Sequence, residues 1–290
     1  MHRKDFIKLS SLGFLGLYSC GISPFKKRQN TLAIQLYTVR DAMSANPEKT
    51  LERLAAMGFT GLEIYAYNST FFGKTPQEFQ RILKNTGLRV ISSHHITGNF
   101  NKGQGTLLYN WEKSVEDLHF IGSEYMVCSY LFPEERTLEN YKKLPELLEN
   151  SGKVTKEAGI QFAYHNHDFE FEKFDDNRNV YDFILENSSP ELVKMELDLY
   201  WISKAGIDPL MYFEKYPGRF PLWHIKDMKE GSKDFTEIGN GTIDFERIFK
   251  AGKQAGLQYW FLEQDSSDKD IFESICISNE FIAKNRFFLK

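Results

Sequence analysis

The ten residues from Phe162 to Phe171, FAYHNHDFEF, carry two histidines, an asparagine, an aspartate and a glutamate. Imidazole and carboxylate groups exchange protons and ligate divalent metals. The same types recur in other short apolar runs. His94 and His95 end VISSHH, and Glu63 lies in GLEIYAY. Glu196 and Asp198 stand two apart in KMELDLYW, as do His224 and Lys226 in LWHIKDM and Glu263 and Asp265 in WFLEQD. Gln35, Tyr37 and Arg40 lie in LAIQLYTVRD. Residues two apart on a strand share a face, so each pair can present two functional groups to one cavity. A single His or Glu at such a place is most often just hydrogen-bonded. The whole set is harder to explain by packing, because burying these groups without partners is costly. A shared divalent ion would pair them. The mixture suits Mn, Co, Zn or Fe; hydrated Mg is the poorer fit, because histidines suit it badly.

These residues need a scaffold that brings many strand ends together. From residue 31 onward one pattern recurs: a helical stretch ends in glycine or a turn, and a short β-rich run follows. MGFTGLEIYAY, TGLRVISSHH, IGSEYMVCSY, AGIQFAYHNH and AGLQYWFLEQD fit it, with glycine suited to the position just past a helix end. LAIQLY, LVKMELDLY and FPLWHIKD complete eight strands. PEKTLERLAAMG, PQEFQRILKNTG, LENYKKLPELLENSGKVTKEAG, IDFERIFKAGKQAG and DIFESICISNEFIAKNRFF read as helices, with Pro145 expected to break the third or start a new one. Strands alternating with helices over this length predict a single-domain α/β fold, a (β/α)8 TIM barrel over residues 31–290. An open doubly wound sheet is the alternative, but no glycine-rich nucleotide fingerprint follows the first strand. Barrel strands are buried along most of their length and turn their C-terminal ends toward the active site. That explains why FAYHNH begins apolar and ends polar.

The chain has 290 residues, 41% of them hydrophobic, and a net charge of −4. That is enough apolar material for one sizeable core, and the charge counts against a general nucleic-acid binder. The first twenty residues, MHRKDFIKLSSLGFLGLYSC, combine a basic start, an apolar run and a lipobox-like end at Cys20. They read as a signal peptide, with residues 21–30 as a short tether. The expected location is the periplasm or cell envelope, with a lipid on Cys20 as the membrane attachment. Cys128 and Cys276 read as small buried hydrophobes without metal-site spacing.

YHNHDFEF, ELDLYWISKAG, HIKDM, EIGNGTIDF and LEQD together make the sequence resemble the xylose isomerase-like TIM barrels, sugar phosphate isomerases and epimerases related to endonuclease IV. The resemblance covers residues 31–290. It implies one divalent metal, with Asp198, His224 and Glu263 matching family ligands. The fourth ligand is open: Ala163 or Tyr164 stands where a glutamate is usual, so His165, His167 or Glu170 would replace it, with Glu196 a further candidate. The implied chemistry is metal-dependent isomerisation or epimerisation of a keto-sugar by proton abstraction through an enediolate. Glu63, His94, His165 and Lys226 would be the catalytic groups. Gln35, His95, His167, Glu170 and Trp201 would bind the small-molecule carbohydrate, with Tyr65, Phe72 and Tyr130 as further aromatic surface. Export argues for an unphosphorylated substrate. A 3-keto-glycoside lyase or dehydratase and a non-catalytic sugar-binding barrel are the alternatives. An endonuclease would need three metals and a DNA groove. Self-association is compatible with any of these.

Overall fold

The computed structural model describes residues 31–175 and 178–289. Residues 1–30, which carry the expected signal peptide, tether and Cys20, lie outside the described residues. The barrel strands are β1 (Ala33–Gln35), β2 (Gly61–Ile64), β3 (Arg89–Ile96), β4 (Tyr125–Tyr130), β5 (Gln161–His165), β6 (Val193–Asp198), β7 (Leu222–Ile225) and β10 (Tyr259–Leu262). They close in the order β1-β10-β7-β6-β5-β4-β3-β2, and every pairing is parallel. This is the single α/β barrel that the recurring pattern predicts. A short antiparallel ribbon, β8 (Asp227–Met228) with β9 (Phe235–Thr236), follows β7 and was not foreseen.

The helices are α1 (Arg40–Ala45), α2 (Pro47–Ala56), α3 (Pro76–Thr86), α4 (Trp111–Phe120), α5 (Leu138–Glu157), α6 (Val180–Asn187), α7 (Leu199–Lys204), α8 (Pro209–Lys215), α9 (Phe245–Lys250), α10 (Gly252–Ala255) and α11 (Ile271–Lys284). Local signals set their ends. Thr75 and Glu78 form a reciprocal capping box ahead of Pro76, and Gly87 closes α3 at φ 72°, a conformation that costs other residues a Cβ clash. Two expectations fail here. Pro145 does not break α5, which runs through it with Tyr141, Leu144, Leu148 and Gly152 buried along one face; that packing outweighs the missing backbone donor. ELDLYW is not strand to its end, because Asp198 closes β6 and caps α7 at once.

Alternation by two sets the barrel interior. Ala33, Ile91, Tyr125, Val127, Ala163, Leu222 and Phe261 form one buried apolar cluster drawn from facing strands. Gly61 belongs to the same layer, since a Cβ there would lie 2.4 Å from Ile91 Cδ1 and 3.0 Å from Ala33 Cβ. Two residues further along β1, β2, β5, β7 and β10 come Gln35, Glu63, His165, His224 and Glu263. The apolar layer is thus a plug beneath a polar one. Cys128 is fully buried on β4, whereas Cys276 is only partly buried on α11. No helix among the described residues is long and apolar enough to cross a membrane.

Candidate active site

The β2–β3 register steps by one residue between Leu62 and Glu63. Past that step His94 reaches the interior, where its Nε2 lies 2.7 Å from Glu196 Oε2 and 3.0 Å from Glu63 Oε2. His224 lies among three carboxylates. Its Nε2 is 2.5 Å from Glu63 Oε2 and 3.3 Å from Glu196 Oε2, and its Nδ1 is 2.5 Å from Glu263 Oε2. His165 Nδ1 is 3.0 Å from Glu196 Oε2, and its Nε2 is 3.7 Å from Asp198 Oδ2. The imidazole of His165 therefore turns into the barrel, while Tyr164 turns to the helix layer, as alternation requires.

A second group lies on the mouth side. The ammonium of Lys226 is 2.8 Å from Glu263 Oε2, 2.9 Å from Asp198 Oδ2 and 3.1 Å from Asp265 Oδ2. Asp198 divides its oxygens: Oδ1 accepts from the backbone N–H of Tyr200 and Trp201, capping α7, and Oδ2 faces Lys226. Asn166 Oδ1 accepts the Asp198 N–H at 3.0 Å and ties the end of β5 to β6. Asp227, next to Lys226, accepts backbone N–H from Met228, Gly239, Gly241 and Ile243. The EIGNGTIDF segment thereby wraps a buried carboxylate, which is what its glycines permit.

Burial and charge set the protonation states. Burial works against a charged His94, but Glu63 and Glu196 outweigh it and lift its pKa to about 9. Burial likewise opposes a charged Lys226, yet Asp198, Asp265 and Glu263 hold it well above the usual lysine range. His165 and His167 go the other way: burial, with nearby cationic groups, holds both well below the usual imidazole range. Burial raises Asp265 to about 6 against the pull of Lys226. The site thus juxtaposes a fixed ammonium, neutral imidazoles and a carboxyl poised near neutrality, a combination suited to moving protons.

Above these groups opens a cavity of about 910 Å³. His94, His165, His167, Lys226, Glu263 and Asp265 form its polar floor, and Tyr37, Tyr65, Tyr130, Phe132 and Phe235 supply aromatic wall. The loop after β3 adds Asn101 and Gln104, which the sequence reading passed over; their position just beyond a barrel strand was the available signal. Phe235 comes from the unforeseen ribbon and stacks on Tyr200.

Several expected residues sit elsewhere. Glu170 does not join the group. Its carboxylate accepts from Tyr164 Oη at 2.7 Å and from the His167 N–H at 2.8 Å, because the 3-10 turn Phe169–Phe171 carries it behind β5. Burial there raises its pKa to about 7. Gln35 and Glu63 lie below the floor, joined by a 2.8 Å hydrogen bond, and do not line the cavity. Trp201 stands behind the wall, its ring 5.2 Å from that of His167 and 5.7 Å from Lys226 Nζ. His95 lines the cavity, with Nδ1 2.7 Å from the Gly105 carbonyl and a buried, unpartnered Nε2. Phe72 packs against Tyr65 and Phe79 instead of lining the cavity.

The donors fit a divalent ion in two adjacent ways. One atom from each of His94, His165, Glu196 and His224 lies within 4.8 Å of the others, and so do atoms of Asp198, His224 and Glu263. Glu63 Oε1 and Glu196 Oε1 are buried without partners, an arrangement a cation would relieve.

Comparison with known proteins agrees with this architecture. A sugar phosphate isomerase/epimerase from Parabacteroides distasonis superposes with a TM-score of 0.78 at 27% identity, over 93% of this chain and 99% of that one. The IolI protein with a bound zinc atom gives a TM-score of 0.70 at 15% identity, covering 88% and 97% of the two chains, a likeness of fold. An inosose dehydratase from Bacillus cereus (strain AH820) is 24% identical over 88% of this chain and 97% of its own length. The family model described as xylose isomerase-like TIM barrel matches residues 51–275, so this chain belongs to the xylose isomerase-like TIM barrel family.

Proposed function

We propose that the protein is a metal-dependent sugar isomerase or epimerase that removes a proton from the carbon beside a carbonyl of an unphosphorylated keto-sugar or sugar derivative. The observation that carries this reading is Lys226, a buried ammonium at the cavity floor within 3.1 Å of three carboxylates and beside neutral imidazoles. Lys226 donates to the substrate carbonyl oxygen and stabilises the negative charge that develops on it. His167, whose buried Nδ1 has no partner, and Asp265, with a pKa of about 6, are placed to take and return the proton. Tyr65 and Tyr130 line the cavity and supply aromatic surface for the apolar side of a sugar. A divalent ion held by the histidines and carboxylates would supply Lewis-acid stabilisation of the same oxygen.

Two observations favour an unphosphorylated substrate. Among the described residues that line the cavity there is no arginine, and the positive charge of its lysine is already balanced by three carboxylates. Export, expected from residues 1–20, agrees with it. A dehydratase or lyase is the second reading, favoured by the inosose dehydratase that aligns over 88% of this chain. Both readings start from the same proton abstraction and differ in whether the proton returns or a β-substituent leaves.

The shared step can be tested in D2O. The metal-loaded protein, incubated with keto-sugars and keto-glycosides, should wash deuterium into the carbon beside the carbonyl, read by NMR. Lys226→Met should abolish the wash-in. No exchange and no product across that panel would overturn the reading, and faster turnover of phosphorylated analogues would overturn its choice of substrate.

A further inference from the structure

We propose that Arg136 is a positioning residue: its guanidinium braces Phe169 and Tyr130, and these two rings hold the imidazole of His167 in the orientation from which it takes and returns the proton. This rests on the role given to His167 above and goes beyond it by naming what aims the ring.

A histidine base must have its ring held, and a group hydrogen-bonded to the second ring nitrogen is the usual device. His167 Nδ1 is buried and meets no such group. The surroundings of the ring are aromatic instead. Phe169 lies nearly parallel to it, with centroids 5.8 Å apart and planes 13° from each other. Tyr130 meets it in a T-shaped contact at 5.0 Å and 77°, and Trp201 lies against it at 5.2 Å and 43°. Glu170 Oε2 accepts the His167 backbone N–H at 2.8 Å. That bond anchors the main chain and leaves the side-chain torsions to the rings.

Arg136 ties two of those three rings together. It caps the C-terminal end of the 3-10 turn Pro133–Glu135, just after β4, and is partly buried. Its Cζ lies 3.5 Å from the centroid of Phe169, a cation–π contact. Its Nη2 donates to Tyr130 Oη at 2.9 Å, and its Nε donates to the Leu131 carbonyl at 3.0 Å. Both acceptors are neutral, so these bonds serve placement and not the balance of charge. One rigid plane makes all three contacts, which fixes Phe169 and Tyr130 relative to each other. Their rings meet at 90° with centroids 6.1 Å apart. Tyr130 and His167 line the cavity, whereas Arg136 and Phe169 stand behind that wall. Lysine at this place would keep the charge but lose the plane and the fork of donors.

Arg136→Met and Arg136→Lys test this by two readouts. Imidazole 15N–1H spectra of the full chain without substrate report the ring itself, with His167 assigned by its loss in His167→Gln. One His167 pattern is expected in the wild type and a shifted or split one in Arg136→Met, while the exposed His119 on α4 keeps its signals. An unchanged His167 pattern would overturn the inference whatever the activity. In the deuterium wash-in assay kcat should fall roughly 10- to 100-fold in both variants, the scale of a group misplaced by about 1 Å, with KM within about threefold of wild type. A purely structural arginine would lower Tm and leave both constants of the folded protein alone. That result, a loss confined to KM, or a full rate in Arg136→Lys would each overturn the inference. A wild type that exchanges no deuterium would overturn the proposed function and the catalytic part of this inference with it, while the spectra still decide whether Arg136 holds His167.

Discussion

Asp198 does two jobs with two oxygens, and a pair of substitutions can pull them apart. Oδ1 caps α7 by accepting the Tyr200 and Trp201 N–H groups at 2.9 and 3.0 Å. Oδ2 faces Lys226 at 2.9 Å. Asparagine keeps a cap oxygen and is about as good a cap as aspartate, but it replaces the charge facing Lys226. Alanine removes both. Loss of a cap costs ~1 kcal/mol, within about 0.5–2 kcal/mol, and for a chain of this length that lowers Tm by about 2–4 °C. Asp198→Ala should therefore melt about that far below Asp198→Asn. Oδ2 meets Lys226 as an ion pair without a hydrogen bond; with about 1.5–3 kcal/mol of charged-group interaction removed, both variants should lose roughly 10- to 150-fold in kcat/KM if Lys226 polarises the substrate. Calorimetry and the deuterium wash-in assay read the two quantities separately. Equal melting temperatures would refute the cap, and an Asp198→Asn rate within about threefold of wild type would refute the part of Oδ2 in the chemistry.

Glu170 supplies a pH test. Its folded pKa of about 7 lies above the usual carboxylate value of 4.5, so the folded state holds the proton longer than the unfolded chain. The native state should lose stability as pH rises from about 4.5 to 7, by about 3 kcal/mol from this group. Glu170→Gln should gain on wild type across that window, measured by denaturant unfolding, and should leave metal content unchanged; a constant difference would refute the burial argument. Asp227→Ala strips the acceptor from four backbone N–H groups and should destabilise the fold by more than ~3 kcal/mol. Gly241→Ala, whose Cβ would lie 2.2 Å from Asp227 Oδ1, should cost about 1–3 kcal/mol, and thermal melts check both. For export, fractionation of the native host should find the protein in the envelope with Cys20 as the mature N-terminus, and Cys20→Ser should release it from the membrane; a cytoplasmic protein that retains Met1 would end that expectation.

What the sequence determined by itself was periodic and local. Glycine punctuation before short apolar runs marks the strands, as Gly87 and Gly159 show with φ of 72° and 76°. Alternation by two assigns His165, His224, Lys226 and Glu263 to one face, because successive residues of a strand must point to opposite sides. That rule needs no knowledge of the partner strands. Tertiary structure decided everything that depends on neighbours. Glu63 and His224 are 161 residues apart and touch only because the barrel closes with β2 and β7 at matching heights. The one-residue step between β2 and β3 chooses His94 for the interior, and no local pattern announces such a step. Glu170 follows a 3-10 turn out of the cavity to meet Tyr164, since a residue beyond the strand end escapes the alternation. Pro145 stays inside a helix because buried neighbours hold it there. Residue types and their period are written along the chain, whereas layer, register and the meeting of distant carboxylates come from closing eight strands into one ring.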